Sequence, residues 1–87
     1  MIYKIIFASV AKRQFDKLPK QIQKQLGNAI AKLAYDPRPH GTVKLIGKEN
    51  LYRIRDGNYR AIYQIKNDQL LILVVKIGHR KDVYKKK

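Results

Sequence analysis

The spacing of hydrophobic positions changes period along this chain, and each change marks an element. Residues 2–7, IYKIIF, are rich in β-branched and aromatic side chains and predict a first strand. Ser9 stands where it can cap a helix that runs through Phe15 to Leu18. Pro19 ends that helix and suits the first turn of the next. From there Ile22, Leu26, Ala29, Ile30 and Leu33 repeat at i, i+4, i+7, i+8 and i+11, one apolar stripe of a second helix. The segment DPRPHG, 36–41, stops it, because two prolines and a glycine cannot continue a helix. TVKLIGKEN, 42–50, reads as a loop or a short strand. Three strands follow: LYRIR (51–55), YRAIYQI (59–65) and LLILVVKI (70–77), separated by the turn signals Asp56-Gly57-Asn58 and Lys66-Asn67-Asp68. Turns this short make the strands antiparallel neighbours. The predicted fold is a single α+β domain over 1–87 in the order β-α-α-β-β-β, a small antiparallel sheet backed on one face by the two N-terminal helices.

Strand side chains alternate in direction, so Tyr52 and Ile54 share one face while Arg53 and Arg55 share the other. In the next strand Tyr59, Ala61, Tyr63 and Ile65 form the apolar set, and Arg60 points away with Ile62 and Gln64. If the apolar sets pack under the helices, the arginines gather on the open face of the sheet. LLILVVKI is apolar on both sides, as suits an interior strand, and leads into Gly78-His79-Arg80. Tyrosines 3, 35, 52, 59 and 63 read as core or sheet residues; Tyr84, lying among basic residues outside the periodic sets, does not.

Charge sharpens this picture. Twenty Lys plus Arg against six acidic residues give a formal net charge of +14, while 45% hydrophobic content supports a folded core. Such a surface repels itself and attracts polyanions, with nucleic acid or an acidic protein as the usual partner. Cysteine is absent, so neither disulfides nor thiolate–metal sites hold the fold, which suits a reducing compartment. No segment reaches the roughly 18–20 apolar residues of a membrane span. The opening MIYKIIFASVAKR has neither the charged start nor the cleavage pattern of a signal peptide. A cytoplasmic location with no membrane partner is therefore expected.

The motifs YRIR, NYRAIY and GHRKDVY, at these separations, resemble the RelE-type toxins of bacterial and archaeal toxin–antitoxin modules, part of the wider RelE/ParE superfamily. The resemblance spans nearly the whole chain. It implies a small antiparallel sheet backed by two helices. It also implies a ribosome-dependent endonuclease that cuts messenger RNA in the ribosomal A site, without metal or cofactor, beside ribosomal RNA. An acidic, RelB-like antitoxin would neutralise it in a toxin–antitoxin hetero-oligomer. Arg60, in NYRAIY, matches the arginine that holds the scissile phosphate. Arg80, in GHRKDVY, matches the proposed general acid for the leaving 5′-oxygen, and Tyr84 matches the tyrosine that stacks on or orients substrate. Arg53 and Arg55 occupy positions that are lysines in the best-known members, one of them a candidate general base. Ile46 stands where those members have a further arginine, so Lys44 or Lys48 becomes the candidate substrate contact.

Cleavage by attack of the 2′-OH on the adjacent phosphorus needs removal of that proton, protonation of the leaving group and stabilisation of developing charge. Arginines supply the last, at about 10²–10³ in rate per well-placed donor. They do not supply a base, because arginine stays protonated. Histidine is the side chain ordinarily suited to proton transfer near neutral pH, which makes His79 the candidate for that step; His40, beside Pro39, reads as a solvated loop residue. Asp16, Asp36, Glu49, Asp56, Asp68 and Asp82 show no metal-ligand spacing, and Ser9, the one serine, reads as a cap rather than a nucleophile. Two alternatives share the fold: a ParE-like inhibitor of DNA gyrase without nuclease activity, and an RNA-binding member with weakened catalysis.

Overall fold

The structure, a computed structural model, describes residues 2–45, 47 and 50–79. Strand β1 (Lys4–Phe7) leads into helix α1 (Ser9–Asp16) and helix α2 (Lys20–Ala31), which ends in a 3₁₀ turn, Lys32–Ala34. Strands β2 (Val43–Lys44), β3 (Leu51–Asp56), β4 (Tyr59–Lys66) and β5 (Leu71–His79) complete one sheet in the order β1-β5-β4-β3-β2. The α+β class and the helices-before-meander order are as expected. One pairing differs: β1 lies parallel to β5, with Lys4 opposite Leu71 and Phe7 opposite Val74, so the sheet is mixed rather than wholly antiparallel. The chain from α1 through β4 intervenes between these two strands and supplies the long connection that a parallel pair requires.

Local chemistry explains most boundaries. The β3–β4 hairpin turns through Gly57-Asn58, with φ +63° at Gly57, the positive first central angle that glycine supplies in a type II′ turn. Ser9 does not act as the predicted side-chain cap. Ala8 occupies the cap position in extended conformation and Ser9 is the first helical residue, with no side-chain capping hydrogen bond. Pro19 holds the equivalent position before α2, where its missing N–H costs nothing.

The core lies between the helices and one face of the sheet. Leu26, Ile30 and Leu33 from the predicted stripe are fully buried against Tyr63, Ile65, Ile72, Val74 and Ile77, with Ala11 of α1. Each large side chain buried here contributes about 1.5–3 kcal/mol from the removal of apolar surface from water. Tyr52 and Tyr63 join the core as a stacked pair, centroids 6.0 Å apart. Tyr35, grouped with them from the sequence, is instead 72% exposed. It follows the 3₁₀ turn, where the chain leaves the core.

Between β4 and β5 the register shifts at a bulge. Ile62 faces Lys76, yet Tyr63 faces Val74, leaving Val75 without a partner on β4. A bulge residue reverses which face the following residues use. Ile72 and Val74 point to the core before it, and Ile77 after it. Beyond Val74, β5 has no further pairing with β1. There Gln14 of α1 covers the edge, its Oε1 accepting the Ile77 N–H at 2.8 Å.

Candidate nucleic-acid interface

Two rows of side chains cross the face of the sheet turned away from the helices. In one, Val43, Arg53, Ile62 and Lys76 are successive register partners across β2, β3, β4 and β5. In the other, Arg55 faces Arg60, which faces Gly78. The predicted gathering of Arg53, Arg55 and Arg60 on one face therefore exists in the register. Gly78 presents no side chain beside Arg60.

Exposure within the rows is uneven. Arg55 is exposed and Arg53 partly so, but Arg60 is only 8% exposed and Ile62 is 9% exposed. Ile62 is buried although it stands outside the core cluster beneath the helices. Arg60 is thus a largely buried guanidinium on the open side, not the water-facing one that alternation alone suggests. Burial strengthens its pull on a phosphate that reaches it, because less water screens the charge.

The other anticipated residues are placed differently. His79 pairs with Tyr59, its ring meeting the tyrosine edge-on at 5.6 Å. Tyr59 packs against the helix-side core, so His79 belongs to the face opposite Arg60. Lys44 pairs with Tyr52, whose side chain enters the core, and so also begins on the helix side. Lys48, Arg80 and Tyr84, together with Ile46, lie outside the described residues. Lys76 was not anticipated at all. Unbroken alternation from Ile72 and Val74 assigns it to the core, and the bulge at Val75 moves it to the arginine face. No signal short of the bulge itself marks it in the sequence.

On the helix side, the DPRPHG loop is tied to the sheet through aromatic hydroxyls. Tyr63 donates to the Pro37 carbonyl at 2.6 Å, and Arg38 Nη1 donates to the Tyr52 hydroxyl at 3.2 Å while its guanidinium lies 5.7 Å from the ring centroid. Burial pushes the Tyr63 phenol above its ordinary range. The hydrogen bond to Tyr52 raises the Arg38 guanidinium further.

Comparison with known proteins agrees with this architecture. The family profile of the ParE toxin of the type II toxin–antitoxin system parDE matches residues 5–84. A RelE-like toxin protein of Escherichia coli is 35% identical over 88 residues, covering 97% of this chain and 92% of that protein. Among solved structures, the archaeal RelE–RelB complex from Pyrococcus horikoshii OT3 contains a chain that superposes with a TM-score of 0.81 at 28% identity, covering 94% of this chain and 99% of that one. A chain of the intact E. coli RelBE toxin–antitoxin complex gives 0.79 at 26% identity, covering 88% of this chain and 95% of that one. Family profile, sequence identity and structural superposition converge, and the chain belongs to the RelE/ParE superfamily of toxins from toxin–antitoxin modules.

Proposed function

We propose that this toxin is a ribosome-dependent messenger-RNA endonuclease, acting in the cytoplasm and silenced by an acidic, RelB-like antitoxin. The observation that carries the reading is the convergence of Arg53, Arg55, Arg60 and Lys76 on one face of the sheet, in a chain whose relatives include RelE toxins. Arg60 grips the scissile phosphate and stabilises the charge that develops as the 2′-OH attacks. Arg53 and Arg55 hold the flanking backbone, and Lys44 or Lys48 adds an outlying substrate contact. Arg80 protonates the leaving 5′-oxygen and Tyr84 stacks on a base, roles carried over from the GHRKDVY motif. This chemistry needs positioned cations, proton transfer and no metal. The position of His79 beside Tyr59 speaks against its being the base, so proton removal falls to Lys76, the described side chain on the arginine face that can give up its own proton and accept another. The antitoxin supplies carboxylates to the same cations; that chains of RelE–RelB toxin–antitoxin complexes are among the structural neighbours supports such a partner.

A second reading, a ParE-like gyrase inhibitor that cleaves nothing, draws support from the ParE toxin profile. Primer-extension mapping of cellular transcripts after brief expression separates the two. Cuts inside translated codons are expected for the first. Intact messages with an induced DNA-damage response establish the second.

A further inference from the structure

A second concavity lies on the helix side of the sheet. It is a cleft of about 300 Å³ lined by Ala29 and Lys32 at the end of α2, by Pro39, His40 and Gly41 of the loop, and by Ile54 and Arg55 of β3. Three of its walls carry a nitrogen-bearing side chain, and none of the described lining residues is acidic. Among the described residues, no hydrogen bond or ion pair engages the side chains of Lys32, His40 or Arg55. The nearest acidic residue in sequence, Asp36, turns an oxygen to the Arg38 N–H at 3.3 Å.

The loop that carries His40 is anchored. Tyr63 holds Pro37, Arg38 holds Tyr52, and the Thr42 N–H closes a turn on the Pro39 carbonyl at 3.0 Å, with Gly41 at φ +93°. The imidazole is therefore presented from a fixed backbone rather than a wandering one. The carbonyl end of α2 disfavours an anion, but the Lys32 carbonyl already accepts the N–H groups of Tyr35 and Asp36.

Arg55 belongs to both sites. Its register partner on the open face is Arg60, and it also lines the cleft. This is possible because β2 pairs only with Tyr52 and Arg53, leaving the strand edge beside Ile54 and Arg55 uncovered by β2. We propose that the cleft of Lys32, His40 and Arg55 is a second phosphodiester site, which takes the backbone of a single RNA strand as it leaves the arginine face over the free edge of β3. The inference rests on the reading that the open face handles RNA, and it adds a strand path that no motif in the sequence marks. Lys32 supplies the charge, His40 a hydrogen bond, and Arg55 bridges successive phosphates.

The test is fluorescence anisotropy with a 2′-O-methyl RNA oligonucleotide, which cannot be cleaved, across a range of salt concentrations. Lys32 and His40 are both exposed, so Lys32→Ala and His40→Ala leave the core intact, and circular dichroism verifies this. Lys32→Ala is expected to flatten the slope of log affinity against log salt by about 0.7, the loss of one single-strand phosphate contact. His40→Ala weakens binding severalfold with little change in slope. An oligo-glutamate peptide of equal charge should respond to neither substitution. If Lys32→Ala leaves the RNA slope unchanged while Arg60→Ala flattens it and the wild type cuts mRNA, the cleft is wrong and the endonuclease reading stands. If the wild type cuts no mRNA yet Lys32→Ala flattens the slope, the endonuclease reading fails and the cleft stands. An equal loss with the peptide assigns the cleft to an acidic protein and overturns the RNA assignment.

Discussion

Arg55 and Arg60 stand directly opposite each other across the β3–β4 hairpin, two like charges as register partners on one face. Directly opposed side chains in an antiparallel pair lie about 4.5–5.5 Å apart at Cβ, and like charges there are destabilising. A fold that keeps such a pair spends stability on the arrangement, as functional sites do.

Arg55→Gln removes the repulsion without emptying the site. Stability is expected to rise by about 0.2–1 kcal/mol, or roughly 1–8 °C in Tm, with the gain shrinking as salt is added. Toxicity falls in the same variant. A thermal melt at two ionic strengths and a growth assay read the two effects, and a variant both less stable and equally toxic contradicts the trade-off.

Arg60 tests the phosphate grip. Arg60→Lys keeps the charge but loses the planar fork, and Arg60→Ala loses both. Toxicity is expected to fall by about 10²–10³ for the alanine variant and by an intermediate amount for lysine. Because Arg60 is largely buried, Arg60→Ala also costs about 1–3 kcal/mol, read by urea unfolding. Two folded variants with undiminished toxicity mean that the carried-over role is misassigned.

His79 and Lys76 make a paired comparison across the bulge. Lys76→Met leaves the fold intact and lowers toxicity, since Lys76 shares the arginine face through Ile62. His79→Ala loses the contact with Tyr59, lowers stability by about 0.5–1 kcal/mol and leaves the pH profile of cleavage between about pH 6 and 8 unchanged. A flattened profile for His79→Ala restores the imidazole as the base.

Tyr63 couples the core to the loop, and its pH dependence has a definite sign. Burial raises the folded-state phenol above its unfolded value near 10, so the unfolded chain releases its proton first. The stabilisation is complete below about pH 10 and is lost as pH climbs through the folded value. Tyr63→Phe is expected to unfold about 1–3 kcal/mol more easily at neutral pH, because the Pro37 carbonyl loses its donor. It should also show a shallower loss of stability above pH 10, measured by urea unfolding at several alkaline pH values. Parallel curves for the two proteins place the alkaline loss elsewhere.

Local periodicity was enough to read the elements of this chain. The stripe from Ile22 to Leu33, the prolines of DPRPHG and the Gly57 turn act over a few residues, so they specify helices, stops and a hairpin before any long-range contact forms. Alternation likewise put Arg53, Arg55 and Arg60 on one face. Three further features depended on distant partners. The parallel docking of β1 on β5 joins residues 67 positions apart, as Lys4 meets Leu71. The burial of Arg60, 8% exposed, is set by the folded chain and by no spacing within β4. The decisive one is the bulge at Val75, visible only once β4 and β5 are in register. Strand side chains repeat with a period of two, so one inserted residue exchanges the faces of everything after it. That single step carried Lys76 to the arginines and His79 away from them.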